Sequence, residues 1–174
     1  MMTQTEVTTF YLEMNDPAEL KPARAKDPEF EIRQSKIPLL ALNKFLYAAV
    51  GDEWYWFSRR SWSDDQWRDY LARPGMETWI AYKSGTPAGY FEMERQLADN
   101  VEFVQFGMLP QFIGQGLGGQ MLTLGVQQAW QGGTRRVWLH TCTQDHPHAL
   151  DHYKARGFRL YREETKMVMM PAAS

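Results

Sequence analysis

Residues 109–122 read LPQFIGQGLGGQML, which crowds Gly114, Gly116, Gly118 and Gly119 into six positions between an apolar run and a helical one. No other stretch narrows the fold so sharply. When a strand runs through glycines into a helix, the first N–H groups of that helix have no intrahelical partner and point past the strand end. The helix dipole favours negative charge there, and the missing Cβ atoms let ligand oxygens approach the backbone. Leu117, Met121, Leu122, Leu124, Val126 and Ala129 give the helix a wide apolar face, so its start is held against a sheet. The functional reading is a phosphate site. The structural reading is close helix-to-sheet packing, which glycine permits at about 1 kcal/mol relative to alanine.

The rest of the chain sorts into elements around this junction. VTTFYLEM (7–14) has strand character, and the proline-bearing NDPAELKPARAKDP that follows favours a surface connection, so residues 1–28 are expected to form an N-terminal arm. EFEIRQS alternates as a strand. Pro38, at a first-turn position, opens an apolar-periodic helix through Leu39, Leu42, Phe45 and Leu46, and Ser63 caps a second helix that ends at Pro74-Gly75. From Met76 onward ETWIAYKSG, TPAGYFEMER and VEFVQFGML read as an antiparallel meander. The glycine-led helix then runs to Trp130. After it come the strand RRVWLHTCT, a short helix over 147–156 closed by Gly157, and the strands FRLYRE and TKMVMM. Residues 29–174 thus form a single α+β domain, long enough to bury roughly 70% of the unfolded chain's surface.

Charge and cysteine content narrow the partners. Nineteen basic and 21 acidic residues give a formal charge of -2, with no Lys/Arg-rich block, so nucleic acid is not an expected partner. The opening MMTQTEVTTFYLEM lacks the n- and h-regions of a signal peptide, and no stretch approaches the ~20 apolar residues of a membrane span. A cytoplasmic location and no membrane partner are expected. The single cysteine, Cys142, agrees with a reducing compartment. A homodimer is the base expectation for such a chain.

Gly114, Gly116 and Gly119 also satisfy G-x-G-x-x-G, the dinucleotide fingerprint. The context does not fit. That fingerprint requires an acidic residue at the end of the next strand, about 20 positions on, and RRVWLHTCT has none. The preceding strands read as antiparallel rather than βαβ.

The segment FGMLPQFIGQGLGGQML resembles the acetyl-CoA-binding motif of the GNAT superfamily of N-acetyltransferases, an apolar residue and proline followed by R-G-x-G-x-G and an apolar helix. HPHALDHYKARGF resembles the family's later N-x-x-A-x-x-x-Y-x-x-x-G-F, with His146 at the Asn position and Ala149, Tyr153, Gly157 and Phe158 in place. The likeness covers roughly residues 29–170. It implies a GNAT-like central sheet, mixed but mostly antiparallel, of about seven strands flanked by about four helices, with splayed central strands admitting the pantetheine arm. It also implies acetyl-CoA as co-substrate, no metal, and a primary amine acceptor that attacks the thioester directly. The cofactor-binding residues it implies are Met108 and Leu109, whose N–H groups would polarise the thioester, and Ile113, Gly114, Gln115, Gly116, Leu117, Gly118 and Gly119 around the pyrophosphate. His146 and Tyr153 complete that set. Ile113 and Gln115 stand where the family often carries side-chain donors or charge, so phosphate binding would lean on backbone groups.

Three residues are candidates for the chemistry. A lysine-like amine, with a pKa near ~10.4, must shed a proton before it attacks, which calls for a base. Glu102, in VEFVQF, is the first choice, and alternation would put it on the face of Val104 and Phe106; the structural alternative is a solvent-facing carboxylate. His140 is the second choice, since an unperturbed pKa near ~6.5 suits base work; the alternative is a histidine bonded to backbone. Tyr153 resembles the family's phenol that protonates the departing thiolate, against a core aromatic anchor. Cys142 shares a strand face with His140 but reads as a small buried hydrophobe. His148 and His152, at i,i+4, have no third metal ligand in pattern and read as solvent-exposed.

EWYWFSRRSW joins the two front helices. In the family that region covers the acceptor side, where Trp54, Trp56 and Trp62 would wall a pocket and Asp52, Glu53, Asp64 and Asp65 would attract an ammonium. The competing function classes are a non-catalytic acyl-CoA sensor of the same fold and, further off, a dinucleotide enzyme.

Overall fold

The structure, a computed structural model, describes residues 2–24 and 26–171. Met1 and Ala25 of the expected arm, and residues 172–174 of the expected domain, lie outside the described residues. Along the chain come β1 (Met2–Met14), β2 (Phe30–Ser35), α1 (Leu40–Gly51), α2 (Asp64–Leu71), β3 (Met76–Lys83) and β4 (Thr86–Gln96). Then follow β5 (Asn100–Met108), α3 (Leu117–Ala129), β6 (Arg136–Cys142), α4 (Ala149–Ala155) and β7 (Arg159–Pro171). All seven strands belong to one sheet, ordered β2-β3-β4-β5-β6-β1-β7. Its pairs are antiparallel except β5 with β6. The expected mixed, mostly antiparallel sheet with four helices is the one observed. Among the described residues no helix is long and apolar enough to cross a membrane.

Strand β4 shows how the layers form. Its residues Ala88 to Met93 are all buried, as expected of a strand covered on both faces. Phe91 and Met93 join α3 and α4 in the main core with Leu122, Val126 and Tyr153. Tyr90 points the other way, to Leu46 and Val50 of α1. Helix α2 lies on that second side with Trp67 and Tyr70. Ser63 Oγ accepts a hydrogen bond from Gln66 N–H, and Gln66 Oε1 accepts one from Ser63 N–H, a capping box that fixes the helix start.

Three sequence expectations are corrected. Residues 2–14 are an internal strand rather than part of an arm: β1 pairs with both β6 and β7 and buries Leu12 and Met14 completely. Its first half, MTQTEV, lacks an apolar face, so its pairing in the sheet was not legible there. The connection after it is tied down as well, through Ala23 N–H to Thr123 Oγ1 and Asp27 N–H to Gln120 Oε1. FRLYRE and TKMVMM are one strand, because Glu164 between them offers no turn chemistry and pairs with Thr9. Helix α1 begins at Leu40 with no side-chain cap, leaving Pro38 outside it.

Two irregularities in β5 build the site. Its parallel register with β6 runs only from Asn100↔Arg136 to Phe103↔Leu139, although both strands continue. Beyond Phe103 the strands part. Against β4 the register shifts, with Met93 opposite Phe103 and Glu92 opposite Gln105, so Val104 is the extra residue of a bulge.

Candidate active site

A cavity of about 540 Å³ opens where β5 and β6 part. On one side it meets the start of α3 and the face of α4; on the other, the segment between α1 and α2.

Gly114 and Gly116 have φ of 81° and 76°, in the left-handed region, and a Cβ at either would meet nothing within 4 Å. The N–H groups of residues 114–116 make no hydrogen bond among the described residues, and those of the first turn of α3 are orphaned by helix geometry. Donors without acceptors, around open space, fit a phosphate. Ile113 N–H donates to Pro110 O, so it drops out of the expected donor set. Gln115 ties its amide to Gln111 O and Leu117 is buried in the core; neither side chain lines the cavity. Ile113, Gly114, Gly116, Gly118 and Gly119 do line it.

Of the two N–H groups expected to polarise a thioester, that of Leu109 is engaged, donating to Ala88 O at 2.8 Å. N–H directions alternate along a strand, so that of Met108 points to the opposite edge, toward the gap left by β6. Met108 alone of the pair lines the cavity.

Tyr153 is 8% exposed and lines the cavity. Burial, reinforced by the charge of Asp145, raises its phenol pKa, so the group stays protonated. His140 also opens into the cavity, exposed on the α1 side of β6; partial desolvation within the cleft lowers its pKa, opposed by Asp145. Cys142 sits nearby with its thiol pKa raised, first by burial and then by Asp145, which disfavours a nucleophilic thiolate. Asp145, not expected from the sequence, thus bears on three groups of the cleft. Its Oδ2 accepts from Thr141 Oγ1 at 2.6 Å and from Cys142 N–H at 2.9 Å. The only sequence signal was its place in the polar TQDHP turn after the strand.

His146 lines the cavity with Nδ1 accepting from His148 N–H at 3.1 Å, which leaves Nε2 as the donor of the neutral ring. His148 is exposed as expected; His152 is not. Its Nε2 is sealed without a hydrogen-bond partner among the described residues, and burial, then Arg156 and His146, lower its pKa to about 4. Its ring lies beside Gly118, where a Cβ would sit 3.7 Å from His152 Cε1, an ordinary van der Waals contact.

Glu102 lies outside the cavity lining. It stands opposite Trp138 in the paired part of β5, and accepts from Gln96 Nε2 at 2.7 Å. Burial raises its pKa to about 6. The bulge at Val104 breaks the alternation, so Phe106 packs with Phe91 and Phe103 in the main core, across the sheet from Glu102. The expected shared face of Glu102 and Phe106 is therefore not formed.

Between α1 and α2, Trp54 and Trp56 line the cavity beside Tyr47 and Tyr55, whereas Trp62 packs inward on Trp67 and Tyr70. The expected ammonium-attracting carboxylates are mostly taken: Asp52 pairs with Arg60, Asp64 with Lys44 and Asp65 with Arg68.

The model of the acetyltransferase (GNAT) family matches residues 43–158. No curated protein matches the chain. A conserved protein of unknown function from Staphylococcus epidermidis is similar in structure, with TM-score 0.61 and 18% identity over 97% of this chain and 62% of that one. A GCN5-related N-acetyltransferase from Kribbella flavida gives TM-score 0.62 and 16% identity over 99% of this chain and 61% of its own. An aminoglycoside acetyltransferase from an uncultured soil metagenomic sample gives TM-score 0.60 and 15% identity, over 75% of this chain and 88% of that one. The chain thus spans about three fifths of the first two structures; at these identities the likeness is one of fold.

Proposed function

The chain belongs to the acetyltransferase (GNAT) family, and from that premise we propose that it is a cytoplasmic, acetyl-CoA-dependent N-acetyltransferase acting on a primary amine by direct attack in a ternary complex. The observation that carries this reading is the junction of two features. The N–H groups from Gly114 to Gly119, unpaired among the described residues, open onto the same cavity as the gap between β5 and β6. The glycine backbone takes the pyrophosphate, and the gap takes the pantetheine arm. Acetyl-CoA, when bound, supplies the activated acetyl group.

The chain's own residues then have separable tasks. Met108 N–H donates to the thioester oxygen as negative charge develops on it. His140, neutral at physiological pH, accepts the proton of the attacking amine. Glu102, on the same side of the sheet beside Trp138 but outside the cavity lining, would act through a relay. Tyr153 gives its phenolic proton to the departing thiolate, a task suited to a group held protonated. His146 Nε2–H orients the arm. Calorimetric titration with acetyl-CoA, then release of CoA thiol with a mixed amine panel, tests the reading. A micromolar dissociation constant with turnover supports it. Binding without turnover of any amine would turn it toward the acyl-CoA sensor, and no binding by folded protein would sink both.

A further inference from the structure

The acceptor half of the cleft carries information about what it admits. Its wall on the α1 side is Tyr47, Val50, Trp54, Tyr55 and Trp56, and none of the described lining residues is a lysine or arginine. The two arginines of the α1–α2 segment are engaged elsewhere. Arg59 is buried against Glu92 at 2.8 Å; Arg60 binds Asp52 at 2.8 Å and the Trp56 carbonyl at 3.0 Å. A carboxylate or phosphate on the acceptor would find no countercharge, and burying it unpaired is unfavourable. Polycations fare no better. Asp145 is the one carboxylate among the described lining residues, and its Oδ2 already holds Thr141 and Cys142. Oδ1 accepts nothing among the described residues, which leaves room for a single ammonium.

The aromatic wall is also built rather than incidental. Trp56 packs on Tyr47 with ring centroids 5.4 Å apart and on Tyr90 at 6.4 Å. Gly51 makes room for it, since a Cβ there would lie 2.4 Å from Trp56 Cβ. Tyr55, at the rim, is held at φ 58°, a strained conformation for an aromatic residue and of a kind that concentrates at ligand sites.

We propose that the acceptor is a monoamine on an apolar, aromatic body bearing no carboxylate or phosphate, its ring against Trp56, which Tyr47 backs, and its amino group near Asp145 and His140. This rests on the acetyltransferase reading above. The test compares 2-phenylethylamine with L-phenylalanine, which differs by one carboxylate, and with kanamycin as a polycation, following CoA thiol release by the full chain under saturating acetyl-CoA. The expected result is a kcat/KM for 2-phenylethylamine at least about tenfold above either competitor. Trp56→Ala should raise the KM for 2-phenylethylamine while leaving that for acetyl-CoA within about twofold. Quenching of tryptophan fluorescence by 2-phenylethylamine in the acetyl-CoA complex gives a second readout, independent of turnover. Equal or better use of phenylalanine or kanamycin overturns the proposal. So does neither turnover nor quenching by 2-phenylethylamine in protein that binds acetyl-CoA. Failure to bind acetyl-CoA at all is a separate result, which removes the acetyltransferase reading itself.

Discussion

The indole of Trp54 and the imidazole of His146 lie 4.7 Å apart, centroid to centroid, with their planes inclined at 54°. They come from opposite banks of the cleft, Trp54 from the α1–α2 segment and His146 from the turn between β6 and α4. An aromatic pair of this kind contributes about 0.5–1.5 kcal/mol beyond the area it buries. Trp54→Ala should therefore weaken acetyl-CoA binding by about two- to tenfold, mainly through faster dissociation. Stopped-flow displacement of bound CoA measures this, and an unchanged off-rate would mean that the contact does not help close the cleft.

The phosphate cradle depends on backbone shape rather than side-chain charge. Gly116, at φ 76° with open space around it, tolerates a methyl group sterically but not conformationally, since the left-handed region costs an L-residue about 1–2 kcal/mol. Gly133 supplies a control, with φ 84° and equally open space outside the cleft lining. Gly116→Ala and Gly133→Ala should lower the denaturation midpoint alike, while Gly116→Ala alone should raise the acetyl-CoA dissociation constant. Calorimetry on both variants separates strain in the fold from damage to the cradle.

Much of this was legible in the sequence because it was local. Ser63 announced a helix start by its side-chain chemistry, and the glycines of 114–119 announced unpaired N–H groups by composition. What was hidden depended on register. No local signal marks Val104 as the extra residue of a bulge, yet that residue sets Phe106 across the sheet from Glu102. The engagement of Leu109 N–H by Ala88 O likewise follows from which edge of β5 meets β4. The place of β1 between β6 and β7 is a matter of topology, and its half-polar sequence gave no sign of it.

The identity of the base has a pH signature. With His140 as acceptor, kcat/KM should fall as pH drops through the ring's pKa, which partial desolvation in the cleft sets below the usual value of about 6.5. His140→Gln should abolish that limb and lower kcat by about 10²-fold or more. Because Glu102, at about 6, would give a similar limb, the profile of Glu102→Gln must be recorded beside it. A limb that persists in His140→Gln and disappears in Glu102→Gln would assign the proton to Glu102.

Glu102 also bears on stability. Its folded pKa of about 6 lies above the ordinary 4.5, so the folded chain holds that proton more tightly than the unfolded chain. Ionised Glu102 opposes folding above pH 6, and the opposition fades as pH falls from 6 to 4.5. Glu102→Gln should raise the Tm at pH 7.5 and have little effect near pH 4. A Tm gain of equal size at both pH values would trace it to packing instead of charge.

The segment that presents the aromatic wall is pinned by a buried charge. Glu92, with no exposed surface, accepts from Arg59 Nη1 at 2.8 Å, Tyr70 Oη at 2.6 Å and Asn43 Nδ2 at 2.9 Å. The guanidinium of Arg59 rests 4.0 Å over the Tyr70 ring, and its own backbone N–H reaches Tyr47 Oη. Removing one partner of such a pair leaves the other buried and unmatched, at about 3–5 kcal/mol. Glu92→Leu should therefore destabilise the protein by that order, and Arg59→Met in the same background should recover part of the loss. Urea denaturation of the single and double variants measures the coupling, and additive losses would show that the two charges stabilise independently. In folded double variant, the α1–α2 segment loses its ionic anchor while Tyr47 and Trp56 keep their contact. Its acceptor KM should accordingly rise more than its acetyl-CoA KM, and equal shifts in both would mean that the anchor supports the whole cleft.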